Sequence, residues 1–288
     1  MEITKKRRIT EIIIGILVLV LFGFLYYATY QAYYNETYSR LAVIEAQKPD
    51  TENYVEDTAK IISVDPIKGE MQVRVAFEPM GELAKNNQLT DELNLYVNSA
   101  TGGVNRIFPK GKDMSPIDVT LNMEGIVTDY PFDSHEANLE LFLTKPIKDA
   151  DPEDVPIALN FSGSVAGLRI DAELNKESAG NYALVDINVH RSQTTMVVTI
   201  AAMGLLWLVS FTVLFMLLAV LFRGRKIEFG MFAFMAGFLF SFVSFRNAMP
   251  GAPPIGTLSD YLAFFWGYLI ITLSLVGLTI TWLTKPPK

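Results

Sequence analysis

A 288-residue chain without a single cysteine excludes disulfides, thiolate catalysis and Cys-ligated zinc or iron–sulfur centres. Half of its residues are hydrophobic and its formal net charge is −7, a balance that disfavours nucleic acid, whose phosphates need basic partners. The charge is divided: residues 35–192 hold 27 acidic against 14 basic side chains, whereas the remainder holds 4 against 10.

From the N-terminus, the first predicted element is an apolar run at 12–30. Crossing roughly 30 Å of hydrocarbon takes about 20 mostly apolar residues, and this run suffices. It is long for a signal peptide, and Tyr26-Tyr27-Ala28-Thr29-Tyr30-Gln31-Ala32 offers no small-x-small cleavage site; it is read as an uncleaved anchor. Residues 36–47 are expected to prolong its helix until Pro49 stops it.

A wide polar segment follows, in which apolar and polar residues alternate repeatedly, as half-buried strands require. The runs are Met71, Val73, Val75 and Phe77; Val119, Leu121 and Met123; Leu139, Leu141 and Leu143; Ile157, Leu159 and Phe161; Leu168, Ile170, Ala172 and Leu174; and Ala183, Val185, Ile187 and Val189. Weaker candidates lie at 61–64 and 93–97. Turn residues separate them at Asp65-Pro66, Thr101-Gly102-Gly103, Phe108-Pro109, Tyr130-Pro131 and Ala179-Gly180-Asn181. Short strands punctuated in this way predict an all-β sandwich, with 146–156 as a loop. At about 158 residues such a domain holds its own core without disulfides.

Side chains suited to chemistry are few. His135 and His190 are the two imidazoles of the chain. Ser134-His135-Glu136 does not make a triad, because neighbours on a strand point opposite ways and triads are assembled in space; His135 is expected at the surface. HExxH, GxSxG and P-loop patterns are absent from the sequence, so neither an enzyme nor a cofactor is predicted, and no acidic cluster has the spacing of a metal loop. Two sequons occur, at Asn35 and Asn160.

Three more apolar runs complete the chain, at 196–222, 229–245 and 261–283. The third of the four runs is crowded with phenylalanine, which covers most of its circumference; Gly230, Ala233, Ala236 and Gly237 leave a strip for close helix approach. Between the last two runs the connection 247–259 is stiffened by Pro250, Pro253 and Pro254 and flanked by Arg246 and Asp260. A cation at one helix C-terminus and an anion at the next N-terminus are each favourable by about 0.3–1 kcal/mol, so the two are expected to pair at an interface open to water. Basic residues cluster at Lys5 to Arg8, at Arg223, Arg225 and Lys226, and at Lys285 and Lys288. Four crossings put all three clusters on one face, which the positive-inside rule makes cytoplasmic.

Two resemblances add expectations. Tyr130-Pro131-Phe132-Asp133, followed by an alternating strand, resembles the signature turn of pentameric ligand-gated ion channels. There, Arg191 at the end of the last strand and Met249-Pro250 leading to Asp260 would have counterparts too. That resemblance implies a turn at the membrane end of a sandwich that couples it to the helices. The order of spans differs, however, and the 229–245 run offers a pore only Ser241 and Ser244 as polar residues. Over nearly the full length the chain is similar to an uncharacterised family of one-plus-three-span membrane proteins, through Tyr130-Pro131-Phe132-Asp133, the Pro250 to Gly256 loop, Asp260 and Phe264-Phe265-Trp266. This resemblance implies an architecture and no activity.

Together these readings predict a membrane α+β protein with four transmembrane helices, one N-terminal and three C-terminal, and an extracytoplasmic all-β sandwich between them. The domains are 1–34, 35–192 and 193–288. The protein is expected in the cell membrane with both termini cytoplasmic, as a non-enzymatic binding or scaffolding protein, with a ligand-gated channel as the alternative. Its partners are the lipid bilayer and an envelope protein or small ligand, and an oligomer is compatible with them. Tyr130, Pro131, Phe132, Asp133, Arg191, Arg246, Pro250, Pro253, Pro254 and Asp260 are the residues expected to couple the sandwich to the helices, with the Tyr130 turn touching the Arg246–Asp260 loop.

Overall fold

The computed structural model describes residues 2–39, 42–46, 48–178, 180–251 and 253–284. Lys285 and Lys288, Ala252 of the proline-rich connection and Ala179 of the last turn lie outside the described residues. The chain forms two compact units, one of Met1–Thr37 with Gln193–Lys288 and one of Tyr38–Ser192.

The first unit is helical: α1 (Glu2–Ser39), α2 (Gln193–Phe222), α3 (Phe229–Asn247) and α4 (Phe265–Thr284), the last opened by a π-helical turn at Asp260–Phe264. Four of its segments, Ile12–Asn35, Gln193–Phe222, Phe229–Asn247 and Asp260–Thr284, are long and apolar enough to cross a membrane. Along α2 the buried positions Thr199, Ala202, Leu206, Ser210, Val213 and Leu217 recur every three or four residues, one stripe of a helix. α4 answers with Ala263, Gly267, Ile271, Ser274 and Leu278. Small residues let the backbones approach: a Cβ added to Gly267 would stand 2.6 Å from the Phe242 ring of α3 and 2.7 Å from Ser210 Oγ of α2. α4 therefore packs against both α2 and α3.

The second unit is a large β-sheet domain. Its strands are β1 (Ala42–Ile44), β2 (Val55–Asp65), β3 (Glu70–Pro79), β4 (Ala84–Lys85), β5 (Gln88–Leu89), β6 (Leu93–Val97), β7 (Val104–Phe108), β8 (Ile117–Gly125), β9 (Ser134–Lys145), β10 (Glu153–Asp154), β11 (Ile157–Gly163), β12 (Leu168–Leu174) and β13 (Tyr182–Arg191). Eleven of them form one hydrogen-bonded sheet, in which eight follow the path β1-β11-β2-β3-β8-β9-β13-β12 and β6, β7 and β10 attach through β9 and β6. β8 serves two halves: Ile117 to Asn122 pair with β3, and Met123 to Gly125 pair with β9. Both halves turn their alternate residues into one apolar core. The alternating runs predicted from the sequence supply that core almost residue for residue; Leu174, exposed at the end of β12, is the departure.

Other expectations need correction. Of residues 36–47, only those as far as Ser39 continue the first helix; Ala42–Ile44 instead adds antiparallel to the edge of β11, with Ala42 opposite Gly163, and Arg40, Leu41 and Gln47 lie outside the described residues. A hydrogen-bonding edge outcompetes an isolated helical extension with nothing to pack on. Within 146–156, Glu153–Asp154 pairs with the end of β9. Asn160 of the second sequon sits in β11 with its amide engaged, accepting from Ala46 N (3.0 Å) and donating to Glu56 Oε1 (2.8 Å).

The register also orders the ends of this domain. β1 starts beside Gly163, the last residue of β11, and β13 ends at Arg191 opposite Leu168, the first residue of β12. β1 lies against β12 as well, so the chain enters and leaves the sheet at one and the same end.

Candidate functional site

At that end, β8 closes on Gly125, a 3-10 turn spans Val127–Asp129, and Tyr130-Pro131-Phe132-Asp133 leads into β9; the Tyr130–Pro131 peptide is cis. Tyr130 and Asp133 are buried, whereas Phe132 is exposed. Arg191 reaches Asp133 from the end of β13: its Nε donates to Oδ1 at 2.9 Å and to Oδ2 at 3.0 Å, and its Nη2 donates to Oδ2 at 2.9 Å. The guanidinium carbon lies 5.1 Å from the centroid of the Tyr130 ring, within cation–π range. His135 Nε2 is 3.0 Å from Asp133 Oδ2. An ionised carboxylate only accepts, so Nε2 carries the hydrogen.

His135 is 2 % exposed, which corrects its expected surface position. The signal was present: position 135 shares its parity with Leu139, Leu141 and Leu143, which face the core. Ser134 and Glu136 are exposed on the other side, away from the imidazole. Gly125 makes room for the ring. It pairs with His135 across β8 and β9, and a Cβ there would run into His135 Nδ1 and the Ser134 carbonyl. Burial by itself pushes the Asp133 carboxyl upward, but hydrogen bonds from Arg191 and His135 outweigh it and hold the group below the usual carboxylate range.

The helical unit holds a second buried ion pair. Arg246 Nε donates to Asp260 Oδ1 at 2.7 Å and Nη2 to Oδ2 at 2.6 Å. The same guanidinium donates to the carbonyls of Pro253 and Pro254, each at 2.7 Å. Asp260 in turn accepts from the backbone N–H groups of Gly256 (2.7 Å) and Thr257 (3.3 Å). Arg246 is 3 % exposed and Asp260 0 %. The expected pair forms, but it is not open to water: the prolines wrap their carbonyls over the guanidinium. Beyond Asp260, Trp207 Nε1 of α2 donates to Leu262 O of the π-helical turn at 3.0 Å. Neither Trp207 nor Gly267 carried a sequence signal, because each acts through a contact between helices distant in the chain.

Elsewhere on the sheet domain a polar groove of about 560 Å³ lies over β8, β9 and β13, lined by Asn122, Glu124, Glu136, Asn138, Asp186 and Asn188. Glu124 and Glu136 are direct cross-strand neighbours. Among the described residues no group of His, Asp and Glu is arranged to hold a metal ion.

These features define a protein with one β-rich domain set between one apolar helix and three. A family model for a domain of unknown function, DUF4436, matches residues 45–189, half of the chain, and the chain belongs to that family. A second domain of unknown function, DUF8686, matches residues 191–285, so the boundary between the two falls at Arg191. No curated protein matches the chain.

Proposed function

We propose that this is a non-enzymatic integral membrane protein of the cell envelope. In this reading the sheet domain is a β-sandwich held outside the cell, where it binds an envelope protein or a small ligand. The four apolar helices cross the bilayer, and the basic residues around α1 and between α2 and α3 lie on the cytoplasmic side, as the positive-inside rule favours. The acidic balance of 35–192 suits a soluble outward domain.

The observation that carries the reading is the lock between Asp133 and Arg191. Arg191 ends β13, and Gln193, two residues later, begins α2. A displacement of the Tyr130-Pro131-Phe132-Asp133 turn is thus tied to the residue from which a membrane helix departs. The Arg246–Asp260 knot, with Pro250, Pro253 and Pro254, keeps α3 and α4 a fixed pair. Limited proteolysis in native membranes tests this: Asp133→Ala is expected to lower the protease resistance of the sheet domain and of the helices together. Helices as resistant as in the wild type would remove the coupling.

The same lock favours a second reading, a ligand-gated-channel-like protein, because the resemblance of the turn implies this kind of coupling. A pentamer after mild extraction that conducts ions in bilayers supports that reading; a strict monomer rules it out.

A further inference from the structure

One buried ionisable side chain of the sheet domain takes no part in the cluster at Asp133. β2 turns Val55, Asp57, Ala59 and Ile61 into the core and leaves Thr58 and Lys60 exposed on the other face. The register sets Asp57 between Leu159 of β11 and Phe77 of β3, both buried and apolar. Asp57 is 0 % exposed, and neither of its carboxyl oxygens has a hydrogen-bond partner.

The charged groups nearest in the chain face elsewhere. Glu56, and Glu78 opposite it, lie on the outer face of the sheet. Tyr54, buried just ahead of β2, has the opposite parity. The inward neighbours of Asp57 along β2, β3 and β11 are the apolar Val55, Ala59, Val75, Phe77, Ile157, Leu159 and Phe161. Asp133, His135 and Arg191 sit with Gly125, past the Glu70 end of β3, whereas Asp57 pairs near its Pro79 end. The run from Phe77 to Glu70 alone separates them by roughly 23 Å at about 3.3 Å per residue.

A buried carboxylate with neither counter-charge nor donor is far more costly than the neutral acid, so the group keeps its proton. Burial accordingly pushes the Asp57 carboxyl well above the usual range. We propose that Asp57 is a proton latch: protonated, it lets β2 lie in the core, and loss of the proton opens the sheet domain from β2. The sign follows from linkage. The folded state binds this proton more tightly than the unfolded chain, so the latch is fully closed below the unfolded value of about 3.9. Above it, each pH unit weakens the folded state up to about tenfold, until the folded-state value is passed.

The test is hydrogen exchange by mass spectrometry on the full chain in mild detergent, between about pH 5 and 9 and corrected for intrinsic exchange. Peptides from β2 are expected to open up to about tenfold more readily per pH unit in the wild type, and Asp57→Asn and Asp57→Leu are expected to abolish that slope. A wild-type β2 whose opening does not change with pH, or a variant that keeps the slope, overturns the proposal. Infrared spectra of wild-type protein carrying isotope-labelled aspartate give a readout that needs no variant. A carbonyl band from a protonated aspartic acid at neutral pH supports the latch, and its absence overturns it.

Discussion

The two buried Arg–Asp pairs among the described residues are assembled in opposite ways. Arg246 and Asp260 are 14 residues apart, and backbone groups complete their shell, carbonyls on the arginine and N–H groups on the aspartate. Arg191 and Asp133 are 58 residues apart on different strands, and side chains complete theirs: His135 on the carboxylate and Tyr130 against the guanidinium. The local knot is thus closed by the main chain of one connection, whereas the long-range lock depends on a third side chain, His135.

Breaking the pairs should expose this difference. Asp260→Ala leaves the Arg246 guanidinium buried with only neutral carbonyls, and the loss of one partner from a buried pair costs about 3–5 kcal/mol. The three tryptophans, Trp207, Trp266 and Trp282, all lie in the helical unit, so the thermal midpoint of tryptophan fluorescence in detergent reports this loss selectively. Arg191→Met is the counterpart: it leaves the Asp133 carboxylate buried but still hydrogen-bonded to His135, so its cost is expected to be smaller than that of Asp260→Ala. Circular dichroism melts of the sheet domain measure this; a cost as large as that of Asp260→Ala would mean that His135 compensates nothing.

Smaller effects sharpen the comparison. The folded-state value of Asp133 is depressed, so its contribution is present above the unfolded value of about 3.9 and is lost as pH falls through the folded one. Asp133→Asn should flatten the acid limb of the stability profile, on the side opposite to the limb assigned to Asp57. Gly125→Ala forces a methyl against His135 and the Ser134 carbonyl, and overpacking of this kind costs about 1–3 kcal/mol; the same dichroism melts measure it. Least of all, Arg74→Ala should leave the thermal midpoint where it was. Its bidentate pair with Asp118 (2.7 and 2.9 Å) stands in the open on the sheet surface, where water and salt screen it.

Much of the fold can be read from the chain because period-2 burial is a local signal: Met71 to Phe77 or Ala183 to Val189 state which face is inside. β7 escapes that reading, since Val104 to Ile107 are all exposed and only its last residue, Phe108, is buried, so no alternation shows. β1 escapes because it is three residues long and exists only by pairing with β11. Arg246 and Asp260 were legible as a pair, being held by adjacent helix ends. Their burial was not, because the Pro253 and Pro254 carbonyls that allow it are the same in every sequence. The partnership of Asp133 with Arg191 needed the register of β9 and β13, which no spacing along the chain encodes. Asp57 and His135 were hidden only by residue type, for their parity already placed them inward.

The proposed placement of the sheet domain outside the cell can be tested without background from the chain itself, because it has no cysteine. Lys110→Cys puts one thiol on an exposed position of the sheet domain, and Arg225→Cys puts one in the exposed connection between α2 and α3. In intact cells a membrane-impermeant maleimide should label the first at once and the second only after permeabilisation. Labelling of Arg225→Cys from outside, with Lys110→Cys protected, would contradict the account.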